Sequence, residues 1–293
     1  MSFVARRLNA VIKLGEGTYG LSGATTLNLT DLRMSARITQ AGGLYKTEMS
    51  LDIYGMPFDL MNQLSTLGNT LYLNTIRANT IQLFAGDTNS VQYSVFQGDI
   101  FTACADFQDM PNVVFRIVAQ TSNFDSVASA PPKSYSTVVD VAEVLQDYAS
   151  QLGLSGFKNN GVSVKLTNPY LYVSVLDQAK QIVQAAHISW SINNNVMTIW
   201  PTGADNGSEI VYVSPANGLI GYPAYTGQGI AFRTIFNPLL SLGGLVQVQS
   251  SLFKPPYKTY PVTALDYQLD AQVPNGQWFC NVQAGSSLTG GAP

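Results

Sequence analysis

Short runs in which apolar and polar residues alternate dominate the first third of the chain, and this pattern constrains the fold most. From residue 11 to about residue 107 they read TTLNLTDL, EMSLDIYG, NTLYLNTI, NTIQLFAGD and YSVFQGDIF, separated by Gly, Asn and Asp. A period of two is typical of strands that bury one face. The pattern predicts an antiparallel barrel or sandwich. One predicted helix, in PFDLMNQLSTLG, interrupts the strand pattern. It carries the apolar residues Phe58, Leu60, Met61 and Leu64 and stops at Gly68.

The period changes between about Pro131 and Pro201, where two helices and a hairpin are expected. A first helix ends at Gly153, and a second begins at Ser174 with Asp177 as the acidic partner of a capping box. HISWSINNNVMTIWP then reads as two strands around an Asn turn at residues 193–195. The predicted buried stripes are Val138, Val141, Ala142, Leu145, Tyr148, Ala149 and Leu152, then Leu176, Ala179, Ile182, Val183 and Ala186.

Strand patterns return from about Ser208, in EIVYV, GIAFRTIF, GLVQVQSSL, YPVTALDYQLD and WFCNVQA. The α/β unit therefore lies inside β structure, as an insertion would. LSTLGNTLYL at residues 64–73 also aligns without gaps with LLSLGGLVQV at residues 239–248. This echo suggests a duplicated β domain.

The composition favours a protein that is built into an assembly. Hydrophobic residues make up 46% of the 293, enough for a sizeable core. Charged residues make up 11%, against roughly 25% in ordinary soluble domains, so neutral polar groups must cover the surface. The net charge of −3 argues against a nucleic-acid binder with a basic face. No apolar run approaches a membrane span and no signal-peptide pattern begins the chain, so maturation in cytoplasm and no membrane insertion are expected.

KLGEGTYG, at residues 13–20, resembles a phosphate-binding glycine loop through Gly15, Gly17 and Gly20. Such loops need a helix directly after the last glycine, but LSGATTLNLT follows and is typical of a strand. A kinase also needs HRD and DFG motifs, and neither occurs. The stretch therefore predicts a strand, a tight turn and a second strand.

The remaining candidate residues point to structural roles. A lone His187 cannot supply a His-rich metal site or a catalytic triad, and its place after a helix favours a capping role. Cys104 and Cys280 lie far apart in the chain and are interpreted as buried thiols.

The carboxylates give no stronger signal. Glu143 and Asp147 fall off the apolar stripe of their helix, which favours a solvated face, while Asp106 and Asp109 flank Phe107. A glycosidase would need two carboxyl groups in one cleft. We predict no catalytic, cofactor-binding or metal-binding residues and no cofactor.

Several stretches together resemble the bacteriophage tail baseplate hub proteins. They are LDIYGMPFDLMNQLSTLG, the segment from NTIQLFAGD to VVFRIVA, GLIGYPAYTGQGIAFRTIFNPLLSLGGLVQVQSSL and YPVTALDYQLDAQVPNGQWFCNVQA. Within them the marks are AGD at 85–87, VFQGDI at 95–100, FNP at 236–238 with Gly243 and Gly244, and NGQW at 275–278. The resemblance spans nearly the whole chain.

The resemblance implies a mainly β fold of two tail-tube-like antiparallel barrels with a small inserted α/β subdomain. The first barrel would occupy residues 1–108, and the second residues 109–293, interrupted by the subdomain at residues 131–202. It implies a non-enzymatic homotrimer that joins the six-fold tail tube to the three-fold spike in the virion, after assembly in the host cytoplasm.

The implied partners are other copies of the chain, the tail tube or distal tail protein, the spike and other baseplate proteins, with genomic DNA only passing through. Two alternatives stay open. A carbohydrate-binding, receptor-binding tail component would use the 15 tyrosines and neutral polar side chains. A cell-wall hydrolase would require a specific carboxylate for turnover of peptidoglycan.

Overall fold

The computed structural model describes residues 5–15, 17, 19, 23–41, 46–65, 79–88, 90–108, 110–121, 130–250 and 259–285. These residues are mainly β, with mostly antiparallel pairing and two short parallel pairs, which confirms the predicted mainly β class. The helices are α1 (Phe58–Leu64), α2 (Val141–Gln151) and α3 (Val175–Ala185). The strands are β1 (Arg6–Lys13), β2 (Thr26–Leu29), β3 (Arg33–Ala41), β4 (Glu48–Tyr54), β5 (Thr80–Asp87), β6 (Tyr93–Asp106), β7 (Val114–Gln120), β8 (Lys133–Ser134), β9 (Val138–Asp140), β10 (Gly156–Asn159), β11 (Lys165–Thr167), β12 (Tyr170–Leu171), β13 (Ile188–Asn193), β14 (Val196–Pro201), β15 (Val211–Val213), β16 (Leu219–Thr226), β17 (Gly229–Ile235), β18 (Leu245–Val248), β19 (Tyr260–Ala271) and β20 (Trp278–Gly285).

The chain divides into two compact units. The first unit comprises Met1–Ile38, Lys46–Val127 and Tyr267–Trp278. The second comprises Thr39–Tyr45, Ala128–Asp266 and Phe279–Pro293. Each unit is therefore assembled from segments that are far apart in sequence.

The first unit is an antiparallel sheet whose strands follow the order β19, β3, β4, β7, β6, β5, β1, β2, with β19 and β3 represented by the parts that belong to this unit. Its core is the buried alternate face that the sequence pattern predicts: Leu8, Ala10, Ile12, Met34, Ala36, Ile38, Met49, Leu51, Ile53, Ile81, Leu83, Phe115 and Ile117. Full burial of one such side chain contributes about 1.5–3 kcal/mol. The period-two pattern thus fixes which face of each strand forms the core.

Helix α1 matches the predicted interruption but is shorter than expected. Met61 and Leu64 are buried, whereas Phe58 is exposed. The helix ends at Leu64 because Ser65 has an extended backbone, with ψ of 127°. The predicted stop at Gly68 and part of the sequence echo at residues 64–73 lie outside the described residues.

The second unit combines a sheet with the predicted α/β unit. Its sheet runs in the order β16, β17, β20, β19, and β18 lies between β19 and a parallel partner, β15. Strands β16 and β17 form a hairpin whose register shifts between Ile220 and Ala224. Alternate residues of β17, β19 and β20 are buried, as the pattern of the third region predicts.

The α/β part has a core of its own. One face of α2, one face of α3 and the sheet β10–β14–β13 share a single cluster of buried side chains that includes Leu145, Tyr148, Ile182, Trp190 and Ile199. The Tyr148 hydroxyl donates a hydrogen bond to Gln178 Oε1 at 2.9 Å. The predicted helical stripes therefore meet around one common core.

The start of α2 differs from the prediction. Val138 lies in β9 and is exposed, so the expected stripe begins three residues late, at Val141. Asp140 ends the strand and caps the helix, because its Oδ1 accepts the Ala142 N–H at 2.8 Å. The end agrees with the prediction, since Gly153 follows Leu152 with φ of +66°.

Helix α3 and the Asn hairpin agree closely with the sequence. Ser174 Oγ accepts the Asp177 N–H at 3.1 Å and donates to its carboxylate at 2.8 Å, so the pair caps the helix. In the β13–β14 hairpin Asn194 and Asn195 have φ of 48° and 62°. Two left-handed residues fit a type I′ turn, and Asn tolerates that conformation better than most residues.

Candidate functional site

The glycine-rich stretch forms part of a β-hairpin. The Leu14 N–H donates to the Thr25 carbonyl at 2.9 Å and the Tyr19 N–H to the Ala24 carbonyl at 2.7 Å, continuing the antiparallel pair β1–β2. Gly17 has φ of +80°, a conformation that favours glycine. Gly20 lies outside the described residues. The two predicted strands are confirmed, because the element that follows is strand β2, while residues 20–22 of the predicted turn lie outside the described residues.

His187 occupies the helix end that the sequence predicts. It follows the last turn of α3 with φ of 51°, and its N–H donates to the Gln184 carbonyl at 3.2 Å. Thr202 Oγ1 donates to the His187 carbonyl at 2.8 Å. The side chain is exposed, so the backbone of this residue ends the helix and leads into β13.

Both cysteines are free thiols. Cys280 is fully buried, and burial raises its pKa to about 12, so the nucleophilic thiolate is scarce at neutral pH. This confirms the buried-thiol interpretation for Cys280. Cys104 is only half-buried, on β6.

Of the carboxylates considered in the sequence, Glu143 and Asp147 lie on a solvated helix face, as predicted. Glu143 and Asp147 are exposed, and Asp147 accepts from Lys133 Nζ at 3.0 Å and from Gln151 Nε2 at 2.7 Å. The solvated-face interpretation is confirmed. Asp109 lies outside the described residues.

Asp106 instead joins a charged cluster on the first unit. Arg116 Nε lies 3.6 Å from Asp52 Oδ1, and its Nη2 lies 3.5 Å from Asp106 Oδ2. Burial raises the pKa of the Asp52 carboxyl; the Arg116 charge opposes this shift and the Asp106 charge adds to it. The cluster was missed because alternation places Asp52 and Arg116 on an outer face, while only the register of β4 with β7 makes them neighbours.

Arg6 links two distant parts of the same unit. Its Nη1 donates to the Gly276 carbonyl at 3.2 Å, and its guanidinium lies 5.7 Å from the centre of the Trp278 ring. The adjacent Arg7 forms an ion pair with Asp31 at 2.7 Å. In the sequence these arginines were only the longest basic run, since no local pattern reveals a partner 270 residues away.

A row of polar side chains crosses the sheet of the second unit. Asp266 accepts from Thr39 Oγ1 and from Asn281 Nδ2, both at 3.2 Å. Asn281 Oδ1 in turn accepts from Arg233 Nε at 2.7 Å. This row connects β3, β19, β20 and β17 through side chains as well as backbone, which stiffens an outward face.

Metal-binding clusters and membrane-spanning helices are absent from the described ranges. No cluster of three or more His, Cys, Asp or Glu side chains is placed there to hold a metal ion. Within the same ranges, no helix combines the length and apolarity that crossing a membrane requires. The polar side chains described above instead connect strands of the sheets to one another.

Solved structures with a similar fold come from tail and secretion machinery. The 43 kDa tail protein of prophage MuSo2 from Shewanella oneidensis matches with a TM-score of 0.60 at 8% identity, over 94% of this chain and 97% of that chain. The tail protein from Neisseria meningitidis MC58 gives 0.57 at 8% identity, over 95% and 96%. E. coli c3393, a type VI secretion component described as structurally similar to phage T4 gp27 and gp5, gives 0.58 at 8% identity, over 87% and 73%.

Sequence comparison supplies the family. No curated protein matches the chain by sequence. The profile of the family described as baseplate hub gp41 matches residues 7–278, which is nearly the whole chain. The chain therefore belongs to the baseplate hub gp41 family of phage tail structural proteins.

Proposed function

We propose that three copies of this chain form a hub that joins the six-fold tail tube to the three-fold spike and encloses the path of the DNA. The observation that carries the proposal is the division of this hub-family chain into two compact units, each of which contains antiparallel strands. Three chains with two tube-like units each supply six, so one ring can match a six-fold tube while keeping three-fold symmetry.

The proposal includes closure of each unit into a barrel. In the first unit the contacts of Arg6 with Gly276 and Trp278 support closure, because they join β1 to the turn after β19 and to the first residue of β20, near the other end of this unit's strand order. The first barrel is built mainly on residues 1–108. The second is built mainly on residues 109–293 and is interrupted by the α/β subdomain at residues 131–202.

Exposed apolar side chains support burial of part of the surface against partners. They are large and widely distributed, and include Val91, Met110, Tyr222, Tyr225 and Leu239. With few charged side chains, covering such a surface carries a small desolvation cost. The proposed partners are two further copies, the tail tube or distal tail protein, the spike and other baseplate proteins.

Ion pairing supports passage of DNA without retention. Arg7 and Arg116 lie beside carboxylates, at 2.7 Å from Asp31 and at 3.5–3.6 Å from Asp106 and Asp52. A wall of unpaired arginines would hold phosphates through release of counterions, whereas a neutralised or mildly acidic wall would not. We propose a purely structural role in the virion, without catalysis or cofactor, after assembly in the host cytoplasm.

Native mass spectrometry of the purified chain tests the trimer. Three chains of 31.6 kDa give about 95 kDa, and this species should grow with protein concentration. Because the proposed contacts are mostly uncharged, the trimer should persist in 1 M salt, where the Debye length is about 3 Å. A 31.6 kDa species alone, up to the highest soluble concentration, would contradict the proposal.

A further inference from the structure

A two-stranded ribbon on the α/β part presents an outward surface that the proposed hub role does not use. In it β8 pairs with β12, placing Ser134 opposite Tyr170, and β9 pairs with β11, placing Val138 opposite Thr167. The inward side chains, Tyr135, Val139, Leu166 and Leu171, pack on the core of the α/β part. The outward side chains, with Tyr172, form what we call the ribbon face: Ser134, Val138, Thr167, Tyr170 and Tyr172.

Two tyrosine rings dominate the ribbon face. Tyr170 and Tyr172 are 61% and 52% exposed, their ring centres are 6.0 Å apart and their planes differ by 26°. A large part of both side chains is therefore open to a ligand. Exposed aromatic rings held close together are typical of a binding surface, because rings left in water contribute nothing to the stability of the chain on its own.

The backbone beneath these rings is held in place. The Tyr172 N–H donates to Gln181 Oε1 at 3.4 Å, and Gln181 Nε2 donates to the Tyr172 carbonyl at 3.1 Å. Leu171 is buried between the two tyrosines, and the Val173 carbonyl accepts the Ala130 N–H at 3.2 Å.

Val173 itself has φ of 81°, which is unfavourable for a β-branched residue. Such conformations cluster at functional sites, where the surrounding contacts enforce them. A fixed backbone lowers the entropy lost when a ligand binds to the side chains above it.

The charged residues next to the ribbon face are of both signs. Lys133 binds Asp147 at 3.0 Å and lies 4.7 Å from the centre of the Tyr148 ring, and Lys165 has Asp140 as its cross-strand partner. The face itself carries aromatic rings, hydroxyl groups and one valine. A phosphate-rich ligand or an acidic peptide would gain little electrostatic attraction there. An uncharged ligand would lose little hydration free energy on binding.

We propose that the ribbon face binds a neutral oligosaccharide. The apolar C–H faces of successive pyranose rings pack on Tyr170 and Tyr172, and the hydroxyls of Ser134, Thr167 and both tyrosines exchange hydrogen bonds with sugar hydroxyls. β-Linked sugars with equatorial substituents suit this surface, because they leave a flat C–H face on each ring. The proposal concerns one chain and does not depend on the trimer.

Titration of the full chain with chitotetraose, a β-1,4-linked N-acetylglucosamine oligomer, tests the proposal by saturation-transfer NMR and calorimetry. We expect saturable binding. The Tyr170→Ala/Tyr172→Ala variant should weaken it about tenfold or more, while Tyr170→Phe/Tyr172→Phe should retain most of it because the rings remain. A matched control, Tyr222→Ala/Tyr225→Ala, removes two exposed tyrosines of β16 and should bind like the unaltered chain.

Thermal unfolding of every variant verifies folding, since all four tyrosines are exposed. Absence of chitotetraose binding to the unaltered chain would overturn the proposal. Equal loss in the β16 control would overturn it too, because binding would then not be specific to the ribbon. Loss of self-association on removal of Tyr170 and Tyr172, without any sugar binding, would identify the ribbon face as a protein interface instead.

Discussion

Gly243 shows how one residue ties the α/β part to the sheet of the second unit. Its φ is +75°, and a Cβ atom there would lie 2.5 Å from Cζ2 of the buried Trp200. Its N–H donates to the Val262 carbonyl at 2.8 Å, and its carbonyl accepts the Asn206 N–H at 2.9 Å. The Trp200 ring packs against this glycine, in the space that a side chain would occupy.

Gly243→Ala is therefore expected to destabilise the chain strongly. It combines the left-handed backbone cost of about 1–2 kcal/mol with overpacking of about 1–3 kcal/mol. Gly221→Ala is the matched control, because Gly221 has φ of +70° with nothing within 4 Å of an added Cβ. Urea unfolding should show a larger loss for Gly243→Ala; equal losses would mean that Trp200 yields easily.

Asp52 gives a prediction for pH dependence. Burial raises the pKa of its carboxyl above 3.8, so the folded state holds this proton more tightly than the unfolded chain does. Its contribution to stability is fully present below pH 3.8 and is lost as pH rises through the folded-state pKa. Asp52→Asn should therefore be more stable than the unaltered chain at pH 7, and the difference should shrink towards pH 3.8.

Carboxyl NMR titration checks the causes one by one. Asp106→Asn removes a neighbouring negative charge and should lower the pKa of Asp52, whereas Arg116→Gln removes the opposing charge and should raise it. A pKa of Asp52 below 3.8 in the unaltered chain would refute the assignment of burial as the dominant cause.

At the scale of single residues, local roles could be predicted and distant partners could not. Ser174 with Asp177, Gly153 and the Asn turn act within a few residues of their own positions, so their chemistry is visible in the sequence. Arg6 with Gly276, and Asp52 with Arg116, depend on strand pairing between distant segments. Single-sequence periodicity carries no information on which strands pair.

At the scale of elements, the α/β part behaves as a folding unit in its own right. Its buried cluster extends from Val141 to Ile199, and the partly buried side chains around it lie between Tyr135 and Ile192. The helices were predictable because each has one continuous apolar stripe. The false start at Val138 arose because that residue continues the helical spacing, although it is paired with Thr167 in a strand.

A segment of residues 130–203 should therefore fold alone, with helical circular dichroism and cooperative urea unfolding. It should be marginal, because at about 70 residues a single core supplies only a few kcal/mol. Leu145→Ala removes a fully buried side chain at a cost of about 2–5 kcal/mol and should abolish the transition. The exposed Gln146→Ala is the control and should leave it nearly unchanged. A segment without any cooperative transition would mean that the fold needs the surrounding sheet.

At the scale of the whole molecule, the sequence shows a low content of charged residues, strands of period two and an α/β unit between β segments. The fold contains these strands and this α/β unit. The tail-protein fold is shared with proteins only 8% identical, so its determinants are the pattern of buried positions rather than particular side chains. The interfaces could not be predicted in this way, because exposed tyrosines and neutral polar groups suit several kinds of partner.

A reconstruction of the distal tail by electron cryomicroscopy tests the central proposal most directly. The account predicts three copies of this chain in one ring, six β-barrels around a central channel, and a channel wall without an excess of Lys and Arg. Tube subunits should lie on one side of this ring and the spike on the other. A single copy at the tail periphery, or a channel lined by unpaired Lys and Arg, would contradict it.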